Sequence, residues 1–514
     1  MSRIEATKPV SASRSSMVTG LTFVGIAVLN FAYANAMAWL LPVQAFGLLG
    51  LVQSCIMVVA TLVRSGFPWG LVRVLARAHS AREAYQAAKS AMLGNGLIAL
   101  AFSLLLAAAV GLAGFDLGPG SGLLLAFIVA EAFLLAATSL LGGVLQSRMQ
   151  FGLLGLGQGL EAAVKLAAGI VLVVLGYGVV GASATIVLGT AALLALLIWS
   201  TRRFTFWRER SWGPWHTYRD SLTIFLGLCA LTIISSFDTI GLKLFSHPGQ
   251  ADMLMGYYQA AIILPRVPVL LAGAYATALF PYIARSDRET SAAYISQALK
   301  YGLLLILPAN LLLVAIPEPI IRLIYPEAYV VSAPALRIAA AGSSLLALAT
   351  ILVSVFQARG MARVPALWLP VAAVAEVAAL WLLVPGHTIV GSALALLIAS
   401  GVACACLWAA LLRHYPMRVT LGGALRYLVA GGALVAAAMA LPHGNRLWTL
   451  ASGALALLVY VVLLALARLI GPADLDVLTA GLPKDRVAPV AALFRRCAGI
   501  IDRLNRVFPV PGSV

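Results

Sequence analysis

Charged side chains are scarce in this chain. Asp, Glu, Lys and Arg together make up 10% of its 514 residues, whereas an average soluble domain carries about 25%. The hydrophobic fraction is 62%, so a soluble chain of this length would lack the polar surface that keeps a protein in solution. This composition excludes an ordinary soluble enzyme and predicts a membrane protein with many spans.

Cysteine is sparse as well. The five cysteines are Cys55, Cys229, Cys404, Cys406 and Cys497. Four of them lie within apolar runs and none forms a CxxC pair, so the sequence predicts neither a disulfide framework nor a zinc site. It also contains no acidic metal triad, phosphate-binding glycine loop or nucleophile elbow. We therefore predict that the protein is not an enzyme and needs no metal or other cofactor.

Acidic residues are outnumbered by basic ones, 18 against 35, which gives a net charge of +17. In a soluble protein such an excess would indicate nucleic-acid binding. Here the basic residues concentrate in short loops between apolar runs, which is typical of membrane topology, so no nucleic-acid partner is predicted. If the N-terminus is cytoplasmic, 29 of the 35 basic residues fall in cytoplasmic segments and four in outer loops. This bias predicts an even number of spans and two cytoplasmic termini.

The apolar runs predict an all-α polytopic membrane protein with about fourteen transmembrane helices, since a span takes about 20 residues. The predicted order is a cytoplasmic N-terminal tail at 1–16, a first lobe of six spans at 17–200, a cytoplasmic inter-lobe loop at 201–219, a second lobe of six spans at 220–412, a pair of spans at 422–470 and a cytoplasmic tail at 471–514. Helical spacing of apolar residues at 487–508 predicts a basic amphipathic helix, which lies either on membrane lipids or on the protein's own loops.

Short sequence patterns recur at a nearly constant offset, which indicates an internal repeat. The matching segments are VLQSR at 144–148 with VFQAR at 355–359, GYGVVG at 176–181 with GHTIVG at 386–391, FGLL at 46–49 with MGYY at 255–258, and AR at 76–77 with AR at 284–285. Six predicted spans separate the partners, an even number, so both copies have the same orientation. Two parallel six-helix lobes of this kind predict a transport pathway at their interface.

This organisation resembles the polysaccharide-biosynthesis, or oligosaccharide (O-antigen type) flippase, family of the multidrug/oligosaccharidyl-lipid/polysaccharide exporter superfamily. The resemblance covers nearly the whole chain. Its motifs are FGLL at 46–49 with SGFP at 65–68, MGYYQAA at 255–261 with LFPYIAR at 279–285, and PIIRLIY at 319–325 with Tyr329 and APALR at 333–337. It implies two lobes arranged in a V around a central cavity.

The resemblance also implies a cargo and a place in the cell. The cargo would be an oligosaccharide linked to undecaprenyl diphosphate or a similar polyprenyl carrier, moved from the inner to the outer leaflet. The membrane would be the bacterial cell (inner) membrane, and the product a surface polysaccharide such as O-antigen or exopolysaccharide. A polysaccharide polymerase and glycosyltransferases would be partner proteins.

Charges inside the predicted spans are candidate site residues, because each costs about 2.5–3.5 kcal/mol in the membrane. Gln158, Glu161 and Lys165 share one face of the fifth span. They form either a buried structural ion pair or a cavity wall on which Lys165 attracts the diphosphate. Glu376 lies at offset 211 from Lys165, so equivalent helices of the two lobes would present opposite charges.

Arg266 lies between two prolines in LPRVP at 264–268. Such prolines usually kink a helix and free backbone carbonyls, so Arg266 either binds those carbonyls, pairs with an acid, or binds a phosphate or sugar acid. Glu131 and Asp238 are the candidates for coupling to protons or sodium. The alternative for each is a structural partner of Arg266 or Lys165.

Tyr257 and Tyr258 could stack on sugar rings or anchor the helix at the membrane interface. Other functions stay open on the sequence alone. A multidrug antiporter or a lipid II flippase of the same superfamily would share the fold, and an antiporter would have a smaller, more apolar or acidic cavity. A membrane glycosyltransferase or polymerase would need a long outer loop or an acidic catalytic motif, and the longest predicted outer loop, 317–333, is too short for a domain.

Overall fold

The structure is a computed structural model of the chain. It describes residues 12–78, 80–112, 117–118, 120–213, 219–247, 249–285, 288–415, 421–467 and 469. The predicted cytoplasmic tail at 471–514, with its amphipathic helix, and most of the N-terminal tail lie outside the described residues.

The described residues are helical and include no strand, which confirms the all-α fold class. The helices are α1 (Ala12–Leu40), α2 (Val43–Ser65), α3 (Phe67–Arg77), α4 (Ala81–Gly111), α5 (Ser121–Ser147), α6 (Phe151–Leu172), α7 (Gly178–Thr201), α8 (Arg219–Phe245), α9 (Ala251–Arg285), α10 (Arg288–Ala315), α11 (Pro317–Ile324), α12 (Ala333–Ala358), α13 (Arg363–His414), α14 (Leu421–Ala440) and α15 (Arg446–Leu466). We call the end that carries residues 41–42 and 246–250 the outer end, after the predicted orientation, and the opposite end the inner end.

Ten helical segments of the described chain are long and apolar enough to cross a membrane. Two of them, Phe151–Thr201 and Arg363–His414, have 51 and 52 residues, which is long enough for two spans each. Shorter apolar helices lie at Gly25–Leu40 and Leu425–Ala440. A count of fourteen spans requires both long segments to cross twice and both shorter helices to cross once, so the count stays a prediction.

The two long segments break at equivalent positions of the repeat. Gly178 has φ 53° and ψ −139°, and Thr388, which lies 210 residues later, has φ 48° and ψ −121°. Glycine adopts this conformation without strain, whereas a β-branched residue with positive φ is an outlier. The same backbone break in both copies supports the repeat, and it places the first break within the GYG motif where the sequence predicts it.

Helix contacts follow the order of the repeat. In the first half (α1–α7), α1 packs on α6, and α5 packs on α2, α4 and α7. In the second half (α8–α13), α13 packs on α8 and α12, and α12 also packs on α9 and α10. The helices α14 and α15 pack on each other and against α10. The halves touch mainly through α2, which contacts both α8 and α9.

Two glycines bring α2 and α9 into backbone contact at the outer end. A Cβ added to Gly47 would lie 2.5 Å from the backbone nitrogen of Gly256, and a Cβ added to Gly256 would lie 2.7 Å from Cγ1 of Val43. Both distances are too short for a side chain, so only glycine allows this crossing, as at other close helix contacts in membranes. Gly47 and Gly256 hold equivalent positions in the FGLL and MGYY segments.

Aromatic residues complete this closure at the outer end. The Tyr329 ring lies edge-on to Phe46, with centroids 5.8 Å apart, and to Tyr257, with centroids 6.3 Å apart. The indole nitrogen of Trp39 donates a hydrogen bond to the Ile324 carbonyl at 2.8 Å. The outer ends of the two halves are therefore closed on each other.

Candidate functional site

Polar side chains from four helices meet inside the first half. Lys165 on α6 donates a hydrogen bond to the Asn30 side chain on α1, and its ammonium lies 5.0 Å from the centroid of the Tyr33 ring. The Thr190 hydroxyl on α7 lies 2.6 Å from Oε1 of Glu131 and 3.4 Å from Oε1 of Glu161. This threonine connects the two carboxyl groups.

Glu161 and Lys165 make no direct ion-pair contact in this conformation, so of the two alternatives the structure does not show the structural pair. Lys165 instead uses Asn30 and Tyr33, because α1 packs directly on α6. Glu131 is buried, and its Oε2 has no hydrogen-bond partner among the described residues. The first-half cluster therefore holds a half-buried cation beside two carboxyl groups.

Two cavities lie toward the inner end. The first, of about 230 Å³, lies within the first half between α2, α5, α6 and α7, and Gln158 lines it. The second, of about 240 Å³, lies between α2 and α8, where the two halves meet. The Thr232 hydroxyl donates to Thr61 across this interface at 2.8 Å.

Arg64 lines both cavities, and the sequence reading missed it. Arg64 lies in the last turn of α2, which continues to Ser65. Helical spacing from Thr61 places Arg64 on the cavity-lining face, and that spacing is the signal that could have identified it. Its side chain is exposed and forms no ion pair or hydrogen bond with the described residues.

A second cluster lies inside the other half. The Arg266 guanidinium on α9 contacts both carboxylate oxygens of Asp238 on α8 at 3.2 Å and donates to the Ser235 carbonyl at 2.8 Å. The Tyr258 hydroxyl donates to Asp238 at 2.9 Å, and the Thr239 backbone nitrogen donates to it at 2.7 Å. Asp238 is fully buried, whereas the Arg266 side chain is 31% exposed.

Arg266 contacts an acid and a carbonyl in this conformation, and binding of a phosphate or sugar acid stays a prediction. It pairs with an acid and with a carbonyl of the neighbouring helix, and α9 runs without interruption through both prolines. Asp238 is paired with Arg266 in this conformation, as the alternative of a structural partner for Asp238 predicts.

Glu376 is fully buried on α13, and neither of its carboxyl oxygens has a hydrogen-bond partner within the described residues. It lies near enough to Asp238 and Arg266 to interact with them electrostatically. It lines neither inner-end cavity. Lys165 and Glu376 hold equivalent positions in the repeat but differ in exposure. Lys165 is half-buried, whereas Glu376 is enclosed by helix packing.

The two tyrosines belong to helix contacts and not to a free sugar-binding surface. Tyr258 is fully buried with its hydroxyl on Asp238. Tyr257 is half-buried in the aromatic contact with Tyr329 at the outer end. Tyr258 therefore has no ring face open to a sugar in this conformation, and stacking by Tyr257 stays a prediction.

The predicted residues thus form two separate clusters, one inside each half, with Arg64 at the interface between the halves. No group of His, Cys, Asp or Glu residues in the described chain could hold a metal ion. Many apolar helices around enclosed charges, in two equivalent halves, are the architecture of a multi-pass membrane transporter or flippase.

Comparison with known proteins agrees with that class. The sequence profile of the family described as "Polysaccharide biosynthesis protein" matches residues 13–287, more than half of the chain. The chain therefore belongs to the polysaccharide biosynthesis protein family. Comparison with curated protein sequences gives no match.

Solved structures share the fold. A structure titled "Lipid II flippase MurJ, inward closed conformation" has a TM-score of 0.69 at 14% identity, and the match covers 87% of this chain and 97% of that one. A multidrug resistance MATE family transporter of the MOP superfamily, inward-facing, has a TM-score of 0.60 at 16% identity and covers 77% and 97%. An outward-facing structure of a multidrug resistance MATE family transporter of the MOP superfamily has a TM-score of 0.54 at 17% identity, and the match covers 78% of this chain and 94% of that one.

Proposed function

We propose that the protein moves an oligosaccharide linked to polyprenyl diphosphate, of the undecaprenyl type, from the inner to the outer leaflet of the bacterial cell membrane. Family membership and fold support a flippase. The observation that carries the choice of cargo is the unpaired Arg64, which lines both inner-end cavities. A guanidinium with free donors suits a diphosphate, because its planar fork matches phosphate oxygens.

The proposed mechanism is alternating access by rocking of the two halves. The inner end admits the head group while the glycine crossing keeps the outer end closed. Arg64 receives the diphosphate first, and Gln158 offers hydrogen bonds to the sugar within the same cavity. Lys165 and the exposed part of Arg266 hold the anion deeper in the protein, while the lipid tail stays in the bilayer.

The proposed coupling group is Glu131, with a proton or sodium as the coupling ion. One oxygen of Glu131 is bonded to Thr190 and the other is unbonded, so the carboxyl can take up a proton or join a cation site. Asp238 already accepts from Arg266, Tyr258 and Thr239. We therefore assign Asp238 the role of positioning Arg266, and we expect Glu131→Gln to reduce ion-coupled transport more than Asp238→Asn does.

The decisive experiment reconstitutes the full chain in liposomes with a fluorescent polyprenyl-diphosphate oligosaccharide. Its arrival in the opposite leaflet is measured with a membrane-impermeant quencher. Arg64→Ala should reduce the rate strongly and Arg64→Lys partly, since lysine keeps the charge but loses the fork. Arg363→Ala is the matched control, because Arg363 is also an exposed arginine at the inner end.

The same liposomes separate the alternatives. Transport of lipid II in preference to the oligosaccharide carrier would assign the protein as a lipid II flippase. Uptake of cationic dyes driven by an ion gradient, with no movement of the lipid-linked sugar, would assign the protein as a multidrug antiporter. Normal oligosaccharide transport by folded Arg64→Ala and Lys165→Ala variants would refute the proposed contacts with the head group.

A further inference from the structure

The segment that joins the two halves is fixed to the first half along most of its length. The Lys89 ammonium on α4 donates to the carbonyls of Glu209 at 2.9 Å and Arg210 at 3.2 Å. The backbone nitrogen of Gly213 lies 2.9 Å from the Ser90 hydroxyl. We call residues 202–212 the arginine–tryptophan loop; these contacts give it a defined position on α4.

Two buried phenylalanines orient the loop. Phe204 packs edge-on to Tyr85 of α4 with ring centroids 5.0 Å apart, and Phe206 is buried beside it. With these rings turned inward, Trp207 and Trp212 remain 57% and 49% exposed. The loop therefore buries its two phenylalanines against α4 and exposes its two tryptophans.

The exposed part of the loop is strongly basic. Its four arginines, at positions 202, 203, 208 and 210, are all exposed. None of their guanidinium groups forms an ion pair or hydrogen bond with the described residues, and Arg202 lies 5.7 Å from the Trp199 ring. The one acidic residue, Glu209, is engaged by Ser211 at 2.8 Å and by Arg82 at 3.8 Å. The loop thus carries four positive charges that are not neutralised within the chain.

Exposed apolar side chains lie beside the loop. Ile198 and Trp199 near the end of α7 are 53% and 61% exposed, and Met149 in the turn between α5 and α6 is 74% exposed. Apolar side chains of this size at the end of a transmembrane helix face acyl chains. With α7 across the membrane, the arginines that follow directly would lie at the level of the lipid head groups, where tryptophan and arginine are favourable together.

We propose that the arginine–tryptophan loop is a binding surface for anionic phospholipid head groups on the inner leaflet. The arginines bind the lipid phosphates through charge-assisted hydrogen bonds, and the exposed tryptophans insert at the interface. Lys89 keeps the loop in the geometry that presents all four charges together. This inference does not depend on the cargo of the protein.

The test uses the full chain in nanodiscs of phosphatidylcholine with increasing fractions of phosphatidylglycerol. Hydrogen–deuterium exchange of the peptide 202–213 is the readout. Phosphatidylglycerol should slow this exchange in the wild type, and the effect should weaken as salt is raised. Because each arginine near a membrane surface contributes about a fivefold change in affinity, Arg208→Gln with Arg210→Gln should weaken the affinity of the loop for phosphatidylglycerol about 25-fold. The double variant should therefore lose protection at phosphatidylglycerol fractions that protect the wild type.

A matched double variant, Arg363→Gln with Arg413→Gln, removes two exposed charges from the inner end of the second half. It should leave the protection of the loop unchanged. Equal loss in both double variants would overturn the proposal in favour of general surface charge. Insensitivity of the wild-type loop to phosphatidylglycerol would also overturn it, without any variant, and protection by inorganic phosphate in pure phosphatidylcholine would assign a free-anion site instead.

Discussion

The contact between Gly47 and Gly256 gives a direct test of how the outer end closes. A Cβ at position 47 would lie 2.5 Å from the backbone nitrogen of Gly256, whereas ordinary contact begins at 3.4 Å. The obstructing atoms belong to backbone and cannot rotate away. The backbone oxygen of Asp252 would lie closer still, so Gly47→Ala requires the two helices to separate by more than 0.9 Å, the difference between 2.5 Å and 3.4 Å.

Overpacking of this kind costs about 1–3 kcal/mol. If the cost falls on the closed conformation alone, the equilibrium shifts away from outer closure by about 5-fold to 150-fold. Gly256→Ala should act in the same direction, because its Cβ would meet Val43 on the partner helix. Gly96→Ala is the control, since nothing lies within 4 Å of a Cβ at that position.

The assay is pulsed dipolar spectroscopy in nanodiscs, with spin labels at Leu123 and Val331. Both residues are exposed at the outer end, one in each half. Gly47→Ala and Gly256→Ala should add a longer distance to the distribution, while Gly96→Ala should match the parent. An unchanged distribution in both gate variants, with the protein folded, would refute the conclusion that this glycine contact closes the outer end.

Three further predictions concern stability and pH. Thr388→Gly should raise the unfolding free energy by about 1 kcal/mol, since the strain of a positive φ exceeds the entropy cost of glycine. Arg266→Ala should lower it by about 3–5 kcal/mol by leaving Asp238 buried and unpaired, and adding Asp238→Asn should restore much of the loss; thermal melts in detergent measure both. Hydrogen bonds from Ser211 hold the pKa of the Glu209 carboxyl below its ordinary value, so loop docking should persist at neutral pH.

The pH dependence of loop docking follows from the lowered pKa of Glu209. A carboxyl with a lowered pKa stabilises the docked loop above its ordinary pKa of about 4.3 and loses that contribution as pH falls further. Hydrogen–deuterium exchange of the loop, corrected for intrinsic rates, should increase only in this acidic range, and Glu209→Gln should remove the pH dependence.

Gly178→Ala is the counterpart of Thr388→Gly and should lower the unfolding free energy. A higher unfolding free energy of the Gly178→Ala variant would contradict the conclusion that a side chain is strained at this backbone conformation.

Local composition was enough to determine the class of fold. Apolar runs and scarce charge establish a helical membrane protein, because backbone groups in lipid must be satisfied within helices. The end of α1 and the start of α2 at 41–42, and the break at 176–178, follow from Pro and Gly, which act locally. The offset near 210 also indicated the repeat, and the matching backbone at Gly178 and Thr388 agrees with it.

Only the tertiary structure decided which charges meet. Lys165 is bonded to Asn30 and not to Glu161, Arg266 is paired with Asp238, and Glu376 is enclosed. These outcomes depend on how each helix is rotated and which neighbour it packs against, and neither hydropathy nor spacing along one helix specifies that. The same reason explains why Arg64 was missed, since its role comes from the meeting of α2 with α8.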